Sequence, residues 1–338
     1  MKRSLAAAAI AVLTGASGAA MAGDAGTTTI HGEMFTDFSW LDQQQNGRDT
    51  SPSGLGFDVK RFYFGAQHIF DDVWSVNITT DFTYDRDEGA TQVYVKKAYV
   101  EADLSPAAVF RAGSAAMPWI PFVESIEGYR YIDEVLIDRL GFGDSYDWGL
   151  HLGGTTAGAF SYQAALVNGG GYKNPSRGDG MDVAARVSYE PVDGLTFALG
   201  AYNGHRAMDL AGAPANHTAT RYTALAAYVT DRFRIGAEYF RANNWNNVTT
   251  PATDSADGYS IFASLSVSRG MSVFGRYDHA DLSNNLVPSL ADRYYNAGFA
   301  WQLRQHIDLA LFYKYESRSS SERDLETREV GVAAKIKF

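Results

Sequence analysis

Basic side chains recur at alternate positions within apolar segments of this chain, and their spacing suits the selection of ions by charge. In a β-strand, side chains at alternate positions share one face. Each of these residues would therefore face the same way as the polar neighbours on its segment. Rings of basic side chains along a watery passage favour anions, whereas acidic rings favour cations. The candidates for a basic wall are Arg61, Lys97, Arg111, Arg186, Arg234 and Arg276.

A second group of candidate residues lies in the segment 115–146, between two predicted strands. Connections this long are usually functional or disordered, and this one is too rich in aromatic and branched side chains for disorder. Tyr131, Val135 and Asp138 are at helical spacing, which predicts a short helix. We expect the segment to fold inward as a constriction loop; the alternative is packing against a neighbouring subunit. Its candidate residues are Trp119, Tyr129, Arg130, Tyr131, Glu134, Asp138 and Arg139.

The sequence gives less support to an enzymatic activity than to a channel. A hydrolase needs a nucleophile, a base and an orienting group within hydrogen-bond reach. The chain has seven histidines but no Gly-x-Ser-x-Gly motif, and it has no cysteine. No metal-ligand spacing is visible, so we predict no catalytic residue, no metal and no cofactor. An outer-membrane hydrolase and an adhesin with a blocked barrel remain alternatives from other functional classes.

The elements that would position these residues are strands, because apolar and polar residues alternate with period two from end to end. The pattern is clearest in segment 74–84, where Trp74, Val76 and Ile78 alternate with Ser75, Asn77 and Thr79. Strands with one apolar and one polar face, and no second layer to cover the apolar one, are typical of transmembrane barrels. We predict an all-β, antiparallel transmembrane β-barrel of sixteen strands, within a range of 14–18. The predicted strands are 30–40, 59–69, 74–84, 93–103, 109–114, 148–153, 160–167, 183–190, 195–203, 222–229, 233–241, 259–267, 271–278, 294–302, 307–316 and 328–338.

The connections between the predicted strands alternate between tight and long. Tight ones occur at 70–73 and 104–107, for example, and long polar ones follow Leu41, Tyr84 and Glu316. Outer-membrane barrels have short periplasmic turns and longer extracellular loops. The alternation therefore supports the barrel independently of the strand pattern. Sixteen strands leave an aqueous lumen, whereas eight fill theirs with side chains.

The N-terminal segment resembles an export signal. Lys2 and Arg3 precede a short apolar run that ends in Ala20-Met21-Ala22, a small-x-small cleavage site. We predict a signal peptide at 1–22 and a barrel domain at 23–338. Removal of the signal peptide, with its two positive charges, changes the net charge from −10 to −12. A negative net charge argues against nucleic acid as a partner. It also makes the overall electrostatic potential of the protein more favourable for cations than for anions.

Several short motifs, in order, resemble the phosphate-selective porin O/P family. They are Lys60-Arg61, Arg111-Ala112-Gly113 with Pro118 beyond it, Tyr129-Arg130-Tyr131, and Arg139 followed by Asp147-Trp148-Gly149. The resemblance implies a homotrimeric sixteen-stranded channel for phosphate-like anions, with an arginine ladder and basic constriction loops, in the outer membrane of a Gram-negative bacterium. It also implies that the terminal aromatic, Phe338, is the signal for barrel assembly.

This chain departs from that family where selectivity would be decided. Segment 204–220 offers His205 and Arg206 but no lysine cluster, and acidic residues surround Arg130 and Arg139. The sequence therefore predicts a passive outer-membrane channel for small hydrophilic solutes or inorganic ions, in contact with outer-membrane lipid. Both an anion- or phosphate-preferring porin and a general or cation-preferring porin remain open.

Overall fold

The computed structural model describes residues 26–50, 52–85, 90–156 and 158–338. These residues form one antiparallel sheet in which the first strand pairs with both the last strand and its own successor, so that the sheet closes into a barrel. A two-residue strand sits at the tip of the first hairpin, which leaves sixteen strands in the wall. The predicted sixteen-stranded all-β barrel is confirmed. The predicted signal peptide, 1–22, lies outside the described residues.

All sixteen predicted segments coincide with wall strands, and most of these strands extend beyond the predicted bounds. In chain order the strands are β1 (Thr27–Gln45), β2 (Arg48–Asp49), β3 (Gly54–Ile69), β4 (Trp74–Asp85), β5 (Ala90–Ser105), β6 (Ala108–Ala116), β7 (Tyr146–Thr156), β8 (Phe160–Val167), β9 (Asp182–Val192), β10 (Leu195–Gly204), β11 (Ala219–Val229), β12 (Phe233–Asn243), β13 (Ser255–Ser268), β14 (Met271–Asp281), β15 (Ala291–Arg304), β16 (Ile307–Ser319) and β17 (Asp324–Lys337).

Side chains alternate between an exposed apolar outer surface and a buried, largely polar inner surface. On β9, Val183 and Val187 are exposed, whereas Asp182 and Arg186 are buried. This is the period-two pattern of a half-apolar strand. The inward-facing polar residues therefore line the lumen, and the outer surface is apolar. Among the described residues, no helix is long and apolar enough to cross a membrane.

Connections at the end of the barrel that holds both chain termini are tight, as predicted. Those between β3 and β4 and between β9 and β10, for example, comprise residues 70–73 and 193–194. At the opposite end, three connections that we expected to be long are short. Strands β1 to β3 form an extended hairpin, and only 86–89 and 320–323 separate β4 from β5 and β16 from β17. The cause is strand pairing, which continues into the polar residues and satisfies their backbone hydrogen bonds.

Two β-bulges change which side chains face the lumen. The β1–β3 register shifts between Phe35 and Thr36, which leaves Lys60 without a partner across the ladder. The β4–β5 register shifts between Thr79 and Thr80, and there Lys96 is the extra residue. A bulged residue lets two successive side chains point to the same side. Lys60-Arg61 and Lys96-Lys97 therefore both present consecutive cations to the interior.

Residues 117–145, called here the crossing loop, contain two helices. Helix α1 spans Ile120–Glu127, has Pro121 in its first turn and ends at Gly128, whose φ of 87° suits a residue without a side chain. Helix α2 covers only Leu136–Arg139. The predicted helix is therefore shorter than expected: Tyr131 lies outside it. Hydrogen bonds from Ile132 and Asp133 to the Tyr129 carbonyl instead make a separate turn.

The closing seam joins β1 to the end of the chain. Backbone hydrogen bonds of 2.9 and 3.0 Å connect Gly32 with Phe338 in both directions. A Cβ atom added to Gly32 would lie 2.2 Å from the Phe338 ring. Only glycine therefore leaves room for the terminal ring to lie across β1.

Candidate functional site

The first half of the crossing loop is fixed to lumen-facing side chains of β9 and β12. Arg186 donates to the Pro118 carbonyl at 2.9 Å, and its guanidinium lies 3.9 Å from the Phe122 ring centroid. The Trp119 indole donates to Glu238 at 2.6 Å. Arg234 donates to the Ile126 carbonyl at 2.9 Å, which satisfies one of the free carbonyls at the end of α1.

The second half is fixed to acidic residues of β14, β15 and β16. Arg139 is almost fully buried and lies 3.2 Å from Asp278, 2.6 Å from Asp292 and 3.0 Å from Glu316. Arg276 lies 3.0 Å from Glu127 on α1. One loop arginine, Arg139, thus pairs with wall carboxylates, and one loop carboxylate, Glu127, pairs with a wall arginine. Removal of Arg276 would leave the buried Glu127 without its ion-pair partner.

Between these two halves, residues 129–134 contact β3 as well as β16. Glu134 accepts from Arg61 on β3 at 3.1 Å and from Arg130 at 3.0 Å. Asp133 lies 3.3 Å from Lys314 on β16. Arg130 also pairs with Glu124 at 2.6 Å. The loop therefore contacts lumen-facing residues on several separate parts of the wall.

The loop carboxylates differ in charge because their surroundings differ. Burial alone would raise the pKa of Asp133, but the charge of Lys314, with those of Lys60, Arg276 and Arg139, holds it below its usual range. Burial and the negative charge of Glu134 raise the pKa of Asp138 above its usual range. Asp133 is therefore a firm anion at neutral pH, whereas Asp138 is more readily protonated than an ordinary carboxyl.

Three cavities meet at Arg130. An upper cavity of about 700 Å³, on the side of the loop away from the chain termini, is lined by Lys60 and Arg61 among others. A lower cavity of about 340 Å³, on the side of the termini, is lined by Lys96 and Lys97. A side pocket of about 230 Å³ includes Lys96 and reaches Lys173. Arg130 therefore lines the upper cavity, the lower cavity and the side pocket.

Three lysines that border these cavities are held by aromatic rings rather than by carboxylates. Within the described ranges, Lys96, Lys97 and Lys173 form no ion pair with a carboxylate. Their ammonium groups lie instead over tyrosine rings, at 4.3 Å for Lys96 over Tyr63 and 5.3 Å for Lys173 over Tyr94. An aromatic face attracts a cation without supplying a countercharge.

The structure places the predicted wall residues in three different settings. Arg61 and Lys97 border the cavities at Arg130. Arg186, Arg234 and Arg276 hold the crossing loop by the contacts described above. Arg111 pairs with Glu101 on the neighbouring strand at 2.5 Å. The six residues are thus not a continuous ladder of unpaired cations.

The predicted loop residues likewise divide between structural and cavity-facing positions. The Tyr129 ring stacks on Phe274 at 4.4 Å, and Tyr131 is buried near Lys335. Trp119 and Arg139 are buried anchors, whereas Arg130, Glu134 and Asp138 line the side pocket.

Sequence reasoning missed Lys60, Lys96 and Lys173. The two adjacent cations in Lys60-Arg61 and in Lys96-Lys97 are the signal that could have revealed the first two, because a strand without a bulge would put one of each pair on the apolar face. In the part of the chain that the structure describes, no group of three His, Asp or Glu side chains is arranged to hold a metal ion.

Comparisons with known proteins agree on the fold. A family model described as Gram-negative porin matches residues 6–335. Three solved structures are similar to this chain: an anion-selective porin from Comamonas acidovorans (12% identity, TM-score 0.66, 93% of this chain and 100% of that chain); in-vitro folded OmpT, an outer-membrane protein of Vibrio cholerae, in a trimer form (13%, 0.65, 93% and 100%); and OprB of Pseudomonas putida at high pH (10%, 0.67, 92% and 94%). At these identities the likeness shows the fold alone. No curated protein sequence matches the chain.

Proposed function

The chain belongs to the Gram-negative porin family, and from that starting point we propose that its outer-membrane channel is narrowed by the crossing loop and favours small anions. The prediction of a passive porin in the outer membrane is confirmed by the family match. The narrower predictions, of a constriction at residues 115–146 and of an ion preference, are our proposal.

One observation carries the preference for anions. Lys96, Lys97 and Lys173 border the cavities that meet at Arg130, and within the described residues none of the three is neutralised by a carboxylate. The pKa of Asp138, in the same side pocket, is raised, which favours the neutral form of this carboxyl. Charges that line a narrow passage decide ion selectivity more than the distant net charge does, because salt screens the latter. A protein with a net charge of −10 can therefore pass anions preferentially.

The test is the reversal potential of the purified protein in a planar bilayer under a KCl gradient. We expect the sign that indicates chloride preference, reduced by the double substitution Lys96→Met with Lys97→Met. Arg323→Gln, which removes a charge from the exposed turn at 320–323, is the matched control and should leave the potential unchanged. Potassium preference in the unmodified protein would favour the alternative, a general or cation-preferring porin.

Phosphate specificity, which the O/P resemblance implied, is a separate proposal. The description of the matched family names no phosphate-selective type. Phosphate added to the chloride bath should reduce the chloride current if it binds in the constriction, and an unchanged current would exclude that specificity.

Two further parts of the proposal concern assembly and activity. We propose a homotrimer in outer-membrane lipid, supported by the apolar outer surface and by a similar structure described as a trimer form. We also propose that the protein is a channel without enzymatic activity. Hydrolase activity in purified material would contradict this, and a barrel without conductance would favour the adhesin alternative.

A further inference from the structure

We propose that the tyrosines around Lys96 make the narrow part of the lumen a binding site for aromatic carboxylates. The channel would then favour a planar aromatic acid over a saturated acid of the same charge and similar size. This inference rests on the proposed preference for anions and adds a preference among anions.

The ammonium group of Lys96 is surrounded by aromatic rings. It lies 4.3 Å from the ring centroid of Tyr63, 5.0 Å from that of Tyr146 and 5.6 Å from that of Tyr172, and it donates to the Tyr63 hydroxyl at 3.1 Å. Rings stabilise a cation through their quadrupole without cancelling its charge. The ammonium is thus held in place while its charge remains available to a carboxylate.

The rings themselves are arranged in edge-to-face pairs. The Tyr172 ring meets those of Tyr94 and Tyr146 at 85° and 84°, with centroids 6.3 and 6.4 Å apart. The Tyr172 hydroxyl donates to Asp81 at 2.6 Å, which fixes the ring's position. Aromatic rings attract one another in this geometry through complementary charge at face and edge. A further aromatic ring can extend the cluster, whereas a saturated ring has no quadrupole to match it.

The lysine ammonium groups and the tyrosine rings are close enough to contact the same small molecule. Lys96 borders both the lower cavity and the side pocket. Lys97 lies 5.8 Å from the Tyr146 ring centroid, and Lys173 lies 5.8 Å from that of Tyr172. A one-ring acid with its carboxylate on an ammonium group would therefore have its ring beside a tyrosine. A neutral aromatic molecule would gain only the contact with the tyrosine ring. A saturated carboxylate would gain only the contact with the ammonium group.

The experiment compares two acids that differ mainly in the ring. Purified full-length protein in a planar bilayer is bathed in sodium benzoate on one side and sodium cyclohexanecarboxylate on the other, and the reversal potential gives their permeability ratio. We expect a ratio of about three to ten in favour of benzoate, which corresponds to one aromatic pair. Tyr146→Leu should reduce the ratio toward one. Tyr146→Phe keeps the ring and should keep the ratio.

The possible results separate this inference from the proposed function. Equal permeability of the two acids, in a protein that still prefers chloride to potassium, would overturn the aromatic site alone. Potassium preference in KCl would overturn the proposed anion preference. A ratio that favours benzoate but is unchanged in both Tyr146→Leu and Tyr63→Leu would overturn the assignment to these tyrosines. Single-channel conductance in KCl confirms that each variant forms open pores before it is compared.

Discussion

The guanidinium of Arg61 on β3 lies 3.1 Å from the Glu134 carboxylate, and the carbonyl of the same Glu134 accepts a hydrogen bond of 2.7 Å from Arg276 on β14. One residue of the crossing loop is therefore bound to two separate parts of the wall. Its carboxylate also neutralises Arg130, the residue at which the cavities meet. Glu134 thus combines attachment of the loop with control of the local charge.

Replacement of Glu134 by glutamine should increase the preference for anions. The change removes one negative charge between Arg61 and Arg130 and keeps the backbone hydrogen bond to Arg276. One charge a few ångströms away in water contributes about 1 kcal/mol, which corresponds to about a fivefold change in the anion-to-cation permeability ratio. Reversal potentials in KCl measure it. Glu322→Gln, on an exposed turn, is the control, and a shift of equal size in that variant would contradict the local explanation.

Replacement of Arg139 by glutamine should release the second half of the crossing loop. Asp278 and Asp292 have fully buried side chains, and Arg139 pairs with both. In the variant Asp278 keeps Arg276 and Asp292 keeps Arg318. A buried charge that loses its sole partner costs about 3–5 kcal/mol because it has no water, so we expect a smaller loss here. Hydrogen exchange should show a correspondingly lower opening free energy for the Arg139 and Leu140 amides, which donate to Val135 and Leu136.

The matched control for that experiment is Arg318→Gln. Arg318 pairs with Asp292 and Glu316 as Arg139 does, at 3.3 and 3.1 Å, but its side chain is 38% exposed. Exposed ion pairs contribute about 0–1 kcal/mol. Similar losses of protection in the two variants would show that burial does not decide the strength of these pairs.

The preference for anions should fall as pH rises through the titration of Asp138. Its pKa is raised by burial and by Glu134, so the group is neutral on the acid side of that pKa and negative on the alkaline side. Each added negative charge near Arg130 reduces attraction for anions. Asp138→Asn should remove this part of the pH profile of the reversal potential. Asp72→Asn, on an exposed turn, should leave it in place; an unchanged profile in Asp138→Asn would assign the titration to another group.

Replacement of Phe338 by alanine should lower the yield of folded barrel at least severalfold while leaving the conductance of each assembled pore unchanged. The ring covers Gly32 at the seam where β17 meets β1, and an unclosed barrel exposes two strand edges. The folded fraction is measured by its altered gel mobility before boiling. Phe338→Tyr keeps the ring and should assemble normally. A normal yield for the alanine variant would exclude the predicted role as assembly signal.

The strands could be predicted from the sequence because their pattern is local. Val330, Val332 and Ile336 on β17 alternate with polar or small residues, and each strand of the wall has its own version of this pattern. The lengths of the connections at the far end were less predictable. The polar residues at the end of β16, up to Ser319, pair with β17. Polarity alone cannot distinguish a loop from a strand that continues past its apolar, outward-facing residues.

The site was less predictable because distant residues decide it. The direction in which Lys96 points depends on a register shift against β4, and the role of Arg234 depends on where α1 ends. Helix α1 itself was not predicted, although proline is acceptable in a first helical turn. Candidate side chains can be chosen from the sequence, whereas their partners require the folded chain.

The bulges at Lys60 and Lys96 have an evolutionary consequence. If Lys60 were deleted from β3, the outward-facing Val59, Phe62 and Phe64 would each be separated by one inward-facing residue. If Lys96 were deleted from β5, one inward-facing residue would likewise separate Val95 from Ala98. A single-codon deletion would therefore remove one cation from the passage and leave the lipid-facing pattern intact on both sides. Ion selectivity can in this way diverge between descendants by insertion and deletion, under little constraint from the membrane.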